Sequence, residues 1–242
     1  MPSRSGPEFA GVLFDLFGTL IPASPTSRRR PHLHEMARRL GVEPAGFETD
    51  WIDSFDDRAR GRLGSLRETV LRLAERRGGR PTEAAVREAV EIRLGFTRSL
   101  LESCGPVLPA LASLRHAGFR LAVVSDTSDE TPTLWSSSRL APMFDATVFS
   151  CEEGICKPEP GMYRTALGRL GLPPERCAYV GDGGSFELTG AAAVGLRPFL
   201  FRFPSAETED ARYRPDTEFR GPRLGDLGDL LGVLRPVRSA ES

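Results

Sequence analysis

The sequence predicts an α/β fold: a parallel sheet with helices on both faces and a separate helical block placed after the first strand. Three observations predict it. Beyond residue 106, short apolar runs alternate with helical patterns. From about 31 to 101 the apolar residues recur only at helical spacing. And the apolar runs end in Asp, Ser or Gly-Asp, as strands do when they deliver polar groups to one rim.

The first run, Gly11–Phe14, ends at Asp15 and reads as a buried strand followed by a polar loop at 17–19. Pro22 and Pro25 then interrupt regular structure. In the helical block, Leu33, Met36, Ala37 and Leu40 share one face; so do Trp51, Ile52 and Phe55. Leu66, Val70, Leu71 and Ala74 form a third face, and Ala85, Val86, Ala89, Val90 and Ile92 a fourth. About four helices are expected there, with Pro81-Thr82-Glu83 starting the last. A helix over 107–117 precedes the strand Leu121-Ala122-Val123-Val124. Helices over 131–140, 160–170 and 186–194 alternate with strands over 146–149, 178–180 and 198–201. The segment 205–222 reads as polar loop, and 224–234 as a closing helix.

The chain has 242 residues, enough for one α/β core plus a smaller helical part. Hydrophobic residues make up 40% and charged residues 27%, with a formal net charge of −1. No global field favours nucleic acid or an anionic membrane, so a small metabolite or a protein partner is expected. The first eight residues are short and polar, and no later stretch is long enough to span a bilayer. Cys104, Cys151, Cys156 and Cys177 are scattered without a metal-type pair, which fits reduced thiols and a cytoplasmic setting. His32, His34 and His116 lack ligand spacing, and Gly181 to Gly184 is no nucleotide fingerprint. Of 32 basic residues only Lys157 is a lysine, which hints that a compact ammonium is required there.

Parallel strands would gather Asp15, Ser125-Asp126, Lys157 and Gly181-Asp182 at one rim. Close carboxylates suit a hard divalent cation such as Mg2+. Asp15 is then placed to attack phosphorus, with Ser125 and Lys157 on the phosphate oxygens.

The same residues carry a resemblance. Phe14-Asp15-Leu16-Phe17-Gly18-Thr19-Leu20, Val123-Val124-Ser125-Asp126, Gly154-Ile155-Cys156-Lys157-Pro158-Glu159-Pro160 and Tyr179-Val180-Gly181-Asp182 resemble, in order, the four motifs of the haloacid-dehalogenase-like superfamily. The resemblance covers roughly 12–195. It implies a Rossmann-like core (1–22 and 104–242) with a helical cap inserted at 23–103. It implies a magnesium-dependent hydrolase acting on a phosphorylated small molecule, with Asp15 as nucleophile and Ser125 and Lys157 as catalytic partners. The implied metal ligands are Asp15, the Phe17 carbonyl and Asp182. Glu187, where the family usually has Asp, is implied to act through a metal-bound water or to orient Lys157.

One departure matters. Family phosphatases carry a second Asp two residues after the nucleophile; here that position is Phe17, which can neither give nor take a proton. Three readings follow. Either a good leaving group or a cap residue (Asp53, Asp56, Asp57 or His34) makes the acid dispensable, or the chain is a non-catalytic or regulatory binding protein. The third is a 2-haloacid dehalogenase type, in which halide leaves unprotonated. A Schiff-base mechanism, used by a further relative, needs a second lysine that the chain lacks. Arg28-Arg29-Arg30 reads as a solvated charge run. Trp51 and Phe55 either line the cleft or, as their helical spacing favours, form core of the helical block, and Trp135 either borders the site or packs a helix.

Overall fold

The structure is a computed structural model that describes residues 8–23, 26–203 and 215–236. A two-residue strand β1 (Glu8–Phe9) comes first, then β2 (Gly11–Phe14). Every residue of β2 is buried, which explains a run with no polar alternation: it is covered on both faces. It is the middle strand of a five-stranded sheet with β3 (Arg120–Ser125), β4 (Ala146–Phe149), β5 (Cys177–Gly181) and β6 (Arg197–Leu200). The order is β4-β3-β2-β5-β6 and all pairings are parallel. Phe14 stands opposite Val123 on β3 and Val180 on β5, so the ends of β2, β3 and β5 lie side by side.

Alternate side chains fill two separate cores. Val12, Phe14, Val123 and Val180 join one cluster, together with Leu111 and Leu114 of α6 (Leu108–His116, numbered with the helices below). Leu13, Val124 and Tyr179 join the other. That second face is covered by α9 (Pro160–Leu170) and α10 (Glu187–Ala193), the two helices that flank β5 in sequence.

Between β2 and α6 run five helices: α1 (Thr26–Leu40), α2 (Pro44–Asp53), α3 (Phe55–Ala59), α4 (Leu66–Arg76) and α5 (Glu83–Leu101). They bury a third cluster of their own, which includes Leu33, Met36, Phe47, Trp51, Val70, Leu73 and Ala89. Their starts are local: Ser65 and Glu68 form a reciprocal capping box on α4, and Thr82 caps α5 as Pro81-Thr82-Glu83 predicts. Five helices stand where four were expected, because Ser54 divides the Trp51–Phe55 face into α2 and α3.

Two other expectations change and one short helix is added. The helix expected over 131–140 is only α7 (Glu130–Trp135), followed by turns. A four-residue helix α8 (Ser150–Glu153) follows β4. The closing helix expected over 224–234 is a 3-10 turn (Leu227–Asp229) and the short α11 (Leu230–Val233), after which β7 (Arg235–Pro236) pairs with β1. Gly225, Gly228 and Gly232 weaken the longer helix. Of the loop expected over 205–222, residues 205–214 lie outside the described residues; 215–222 hold no helix. No helix of the described residues is long and apolar enough to cross a membrane.

Candidate active site

Asp15 follows β2 directly and its backbone N–H donates to the Val180 carbonyl of β5 (2.9 Å), which ties it to the neighbouring strand. Its carboxylate accepts two side-chain bonds: Lys157 Nζ on Oδ1 (2.5 Å) and Thr19 Oγ1 on Oδ2 (3.0 Å). Lys157 Nζ also donates to Glu187 Oε2 (2.6 Å), which accepts a second bond from the Tyr179 hydroxyl (2.7 Å). The other Glu187 oxygen accepts from the Gly183 N–H (3.0 Å). Asp182, one residue past β5, accepts from the Gly184 N–H on Oδ1 (2.7 Å).

Glycine at 18 and 181 makes this closeness possible. A Cβ on Gly18, whose φ is +91°, would fall 2.3 Å from Asp182 Oδ2. A Cβ on Gly181 would fall 2.2 Å from Glu187 Oε1. Only hydrogen fits between the loops that carry the acids. Ser185 and Phe186, just before α10, hold positive φ values of 52° and 54°, a strained stretch of backbone at the rim.

Asp15, Asp182 and Glu187 each offer an oxygen within 4.8 Å of the others. Burial dominates their proton affinity, and their mutual repulsion adds to it. Asp15 is pushed up to about 7, Asp182 to about 6 and Glu187 to about 7, although Lys157 opposes the shift in all three. The Lys157 ammonium is held well above its ordinary value: the attraction of Asp15 and Glu187 outweighs its burial. Three carboxylates thus face one ammonium inside the protein. Fully ionised, the set would hold two negative charges in excess; its hard oxygen donors fit a divalent cation of the magnesium type, which would offset that charge.

Ser125, at the end of β3, is 1% exposed, and its Oγ has no hydrogen-bond partner among the described residues. Asp126 accepts from the Lys157 N–H (2.9 Å) and so anchors the lysine loop to β3. The predicted site residues Asp15, Asp126, Lys157, Asp182 and Glu187 all line one cavity of about 290 Å³; Ser125 is not on its wall.

The far wall of this cavity belongs to the helical insertion. Leu33, Trp51, Ile52, Phe55, Phe96 and Leu100 give it an apolar surface. Trp51 is core of that block and also lines the site, whereas the part-buried Phe55 lines the site without joining that core; Trp135 instead packs against Phe144 and Phe149 in the core. Phe17 lines the cavity. Asp53, Asp56, Asp57 and His34 do not: Asp56 and Asp57 pair with Arg62 at the surface, and His34 pairs with Glu48 at 2.7 Å. Of the arginine run, Arg30 pairs with Glu48 and Arg29 reaches the cavity wall. The four cysteines are free.

Several site residues escape a reading of the sequence. Thr19 and Tyr179 look like loop and strand residues until their hydroxyls meet Asp15 and Glu187. Arg58 and Arg93 also line the cavity, stacked on the Trp51 ring at 4.4 and 5.1 Å. In a chain whose basic residues are arginine at every position but one, nothing singles them out.

Comparison with known proteins agrees with this geometry. Residues 9–195 match the family model described as haloacid dehalogenase-like hydrolase. A glyceraldehyde 3-phosphate phosphatase of Methanopyrus kandleri is 32% identical over 240 residues, covering 93% of this chain and 97% of the relative. A phosphoserine phosphatase of Thermus thermophilus is 33% identical over 69% of this chain and 64% of its own length. Among solved structures, a 2-haloacid dehalogenase from Pseudomonas syringae is 26% identical with a TM-score of 0.66, over 93% of this chain and 97% of that one. The matched span contains all four strand ends that build the site, and this chain belongs to the haloacid dehalogenase-like hydrolase family.

Proposed function

We propose that the chain is a magnesium-dependent phosphatase that transfers the phosphoryl group of a small ester to Asp15 and then to water. The observation that carries this reading is the buried excess of carboxylates, Asp15, Asp182 and Glu187 around the single Lys157 ammonium. Asp15 and Asp182, with the Phe17 carbonyl, would hold the cation. Glu187 carries three hydrogen bonds, from Lys157, Tyr179 and Gly183, against two on Asp15, so its main role is to hold the lysine. When bound, magnesium supplies the positive charge that lets a carboxylate and a phosphate dianion approach.

The chain's own residues account for the rest. Lys157 and Thr19 both donate to Asp15 and favour its ionised, nucleophilic form. The unpartnered Ser125 hydroxyl is a buried donor one residue from Asp126 of the cavity wall; a small shift of the β3 end would let a phosphate oxygen accept from it. The helices of residues 23–103 serve as a cap, since their apolar wall closes the cavity over Asp15 and limits water. Four free cysteines support a cytoplasmic setting.

A second reading, hydrolysis of a carbon–halogen bond, is favoured by one observation: Phe17 lines the cavity where an acid would serve an alcohol leaving group. Halide needs no proton. Asp182 beside Asp15 speaks against it, because a second acid with no cation would only repel the nucleophile.

The deciding experiment is phosphate release from p-nitrophenyl phosphate, whose leaving group needs no acid. Turnover should require magnesium and vanish in Asp15→Asn. Metal-independent halide release from a 2-haloacid, with no phosphate release, would overturn the reading.

A further inference from the structure

We propose that Asp216, which lies outside the four strand ends, is a positioning residue that sets the orientation of the Asp182 carboxylate. Its consequence, a change in magnesium affinity, rests on the phosphatase reading above; its cause rests on geometry alone.

Asp216 belongs to the segment after β6, and its neighbour Pro215 forms an antiparallel bridge with Gly184. The Asp216 N–H donates to the Gly183 carbonyl (2.6 Å). That carbonyl shares a peptide unit with the Gly184 N–H, which donates to Asp182 Oδ1 (2.7 Å). One planar group carries both bonds, so holding its oxygen aims its N–H at the carboxylate. Hydrogen bonds chained through an amide also polarise one another. On the other side of the same residue, the Gly183 N–H donates to Glu187 Oε1 (3.0 Å). A short stretch of backbone thus orients both acids, and Asp216 grips it from outside.

The Asp216 side chain keeps that grip in place. Its Oδ2 accepts from the Thr189 N–H (2.7 Å), and its Oδ1 accepts from the Thr189 hydroxyl (2.8 Å) and the Phe219 N–H (3.1 Å). Thr189 lies in the first turn of α10, where N–H groups have no acceptor inside the helix. Phe186, the residue before α10, makes no side-chain cap, and Asp216 supplies one from 27 residues along the chain. The loop needs such a hold. The positive φ values of Ser185 and Phe186 persist only where surrounding contacts over-determine the backbone. Two more bonds come from the end of β6 and beyond: Arg202 Nε donates to the Asp182 carbonyl (2.9 Å), and the Phe203 N–H donates to the Gly18 carbonyl (2.8 Å). Chain that follows the last strand of the sheet therefore braces both loops that meet at Gly18 and Asp182.

The test uses the full chain and two readouts that need no turnover: the magnesium dissociation constant by calorimetry, and amide hydrogen exchange of Gly184 without metal. Asp216→Ala should weaken magnesium about tenfold, the lower end of what partners behind metal ligands cost. It should speed Gly184 exchange about tenfold and leave the amides of β2 unchanged, since only the loop is released. Asp216→Asn keeps one acceptor oxygen and should shift both readouts less in the same direction; it serves if Asp216→Ala fails to fold. Asp226→Ala removes the cap of the 3-10 turn Leu227–Asp229 in the same part of the chain. It should lower the melting temperature yet leave magnesium affinity within about twofold, because it touches neither loop. Unchanged magnesium affinity or unchanged Gly184 exchange in both Asp216 variants would overturn the positioning role. So would an Asp226→Ala protein that loses as much magnesium affinity as Asp216→Ala. Faster Gly184 exchange in Asp216→Ala, beside a wild type that binds no magnesium and releases no phosphate from p-nitrophenyl phosphate, would count against the phosphatase reading alone.

Discussion

Glu187 Oε2 lies 2.6 Å from Lys157 Nζ and 2.7 Å from the Tyr179 hydroxyl, so one carboxylate oxygen fixes the ammonium that reaches Asp15. All three groups are buried, and removing one leaves the others unpaired. Glu187→Gln should lower kcat by about 10- to 100-fold, the scale of outer-shell changes at metal sites. Tyr179→Phe removes one neutral donor and should cost about tenfold or less. Lys157→Arg should be as inactive as Lys157→Ala, because a planar guanidinium does not fit where the compact ammonium is 4% exposed. Steady-state kinetics with p-nitrophenyl phosphate check all three.

Magnesium should stabilise the fold, since it offsets the repulsion that pushes Asp15 and Asp182 upward. The melting temperature should rise with magnesium and fall back with chelator. Asp182→Asn should abolish the rise. Gly18→Ala should do the same and lower stability by about 1–3 kcal/mol, because its Cβ would meet Asp182 at 2.3 Å with φ at +91°. A Gly18→Ala protein with unchanged magnesium response would show that the loop has room to move.

Phe17→Asp should raise phosphatase activity toward poor leaving groups, by up to about 10²–10⁴-fold if the proton limits turnover. Activity toward p-nitrophenyl phosphate should change far less. An equal gain on both esters would point to altered binding instead.

The contact between insertion and core predicts a pH dependence of stability. Glu130 is depressed from 4.5 to about 2, as the Arg93 and Arg58 charges outweigh burial. Its contribution is present above about pH 4.5 and is lost as pH falls toward 2. His32, stacked on Phe96 at 3.8 Å beside Arg93, is depressed from 6.5 to about 3 by burial and by that charge. The unfolded chain protonates it first, so stability also falls as pH drops from 6.5 toward 3. Asp15 and Glu187, both raised, act in the opposite sense between about 4 and 7. Difference measurements separate the groups: the gap in urea midpoint between wild type and Glu130→Gln should close between pH 4.5 and 2. The gap for His32→Phe should widen in favour of the variant from pH 6.5 downward.

The parallel α/β core and the four strand ends are legible in the sequence alone, because an apolar run that stops at Asp or Ser is a local pattern tied to strand geometry. The sequence also marked Lys157, whose rarity is a matter of composition. It named Phe17 as a departure, and the tertiary structure put that ring on the cavity wall. The sequence left two roles open for Glu187, a metal-bound water or the lysine, and did not reveal that Thr19 and Tyr179 bind the acids or that Arg58, Arg93, Thr97 and Glu130 share the cavity. The candidate acids Asp53, Asp56, Asp57 and His34 looked as plausible as any, and the fold keeps them off its wall. The reason is physical. Strand ends are brought together by hydrogen-bonding rules that act on neighbours in a sheet, whereas the far wall is set by how five helices pack on one another and on the core. Such packing depends on side-chain shape across distant segments, and no single stretch of chain carries it.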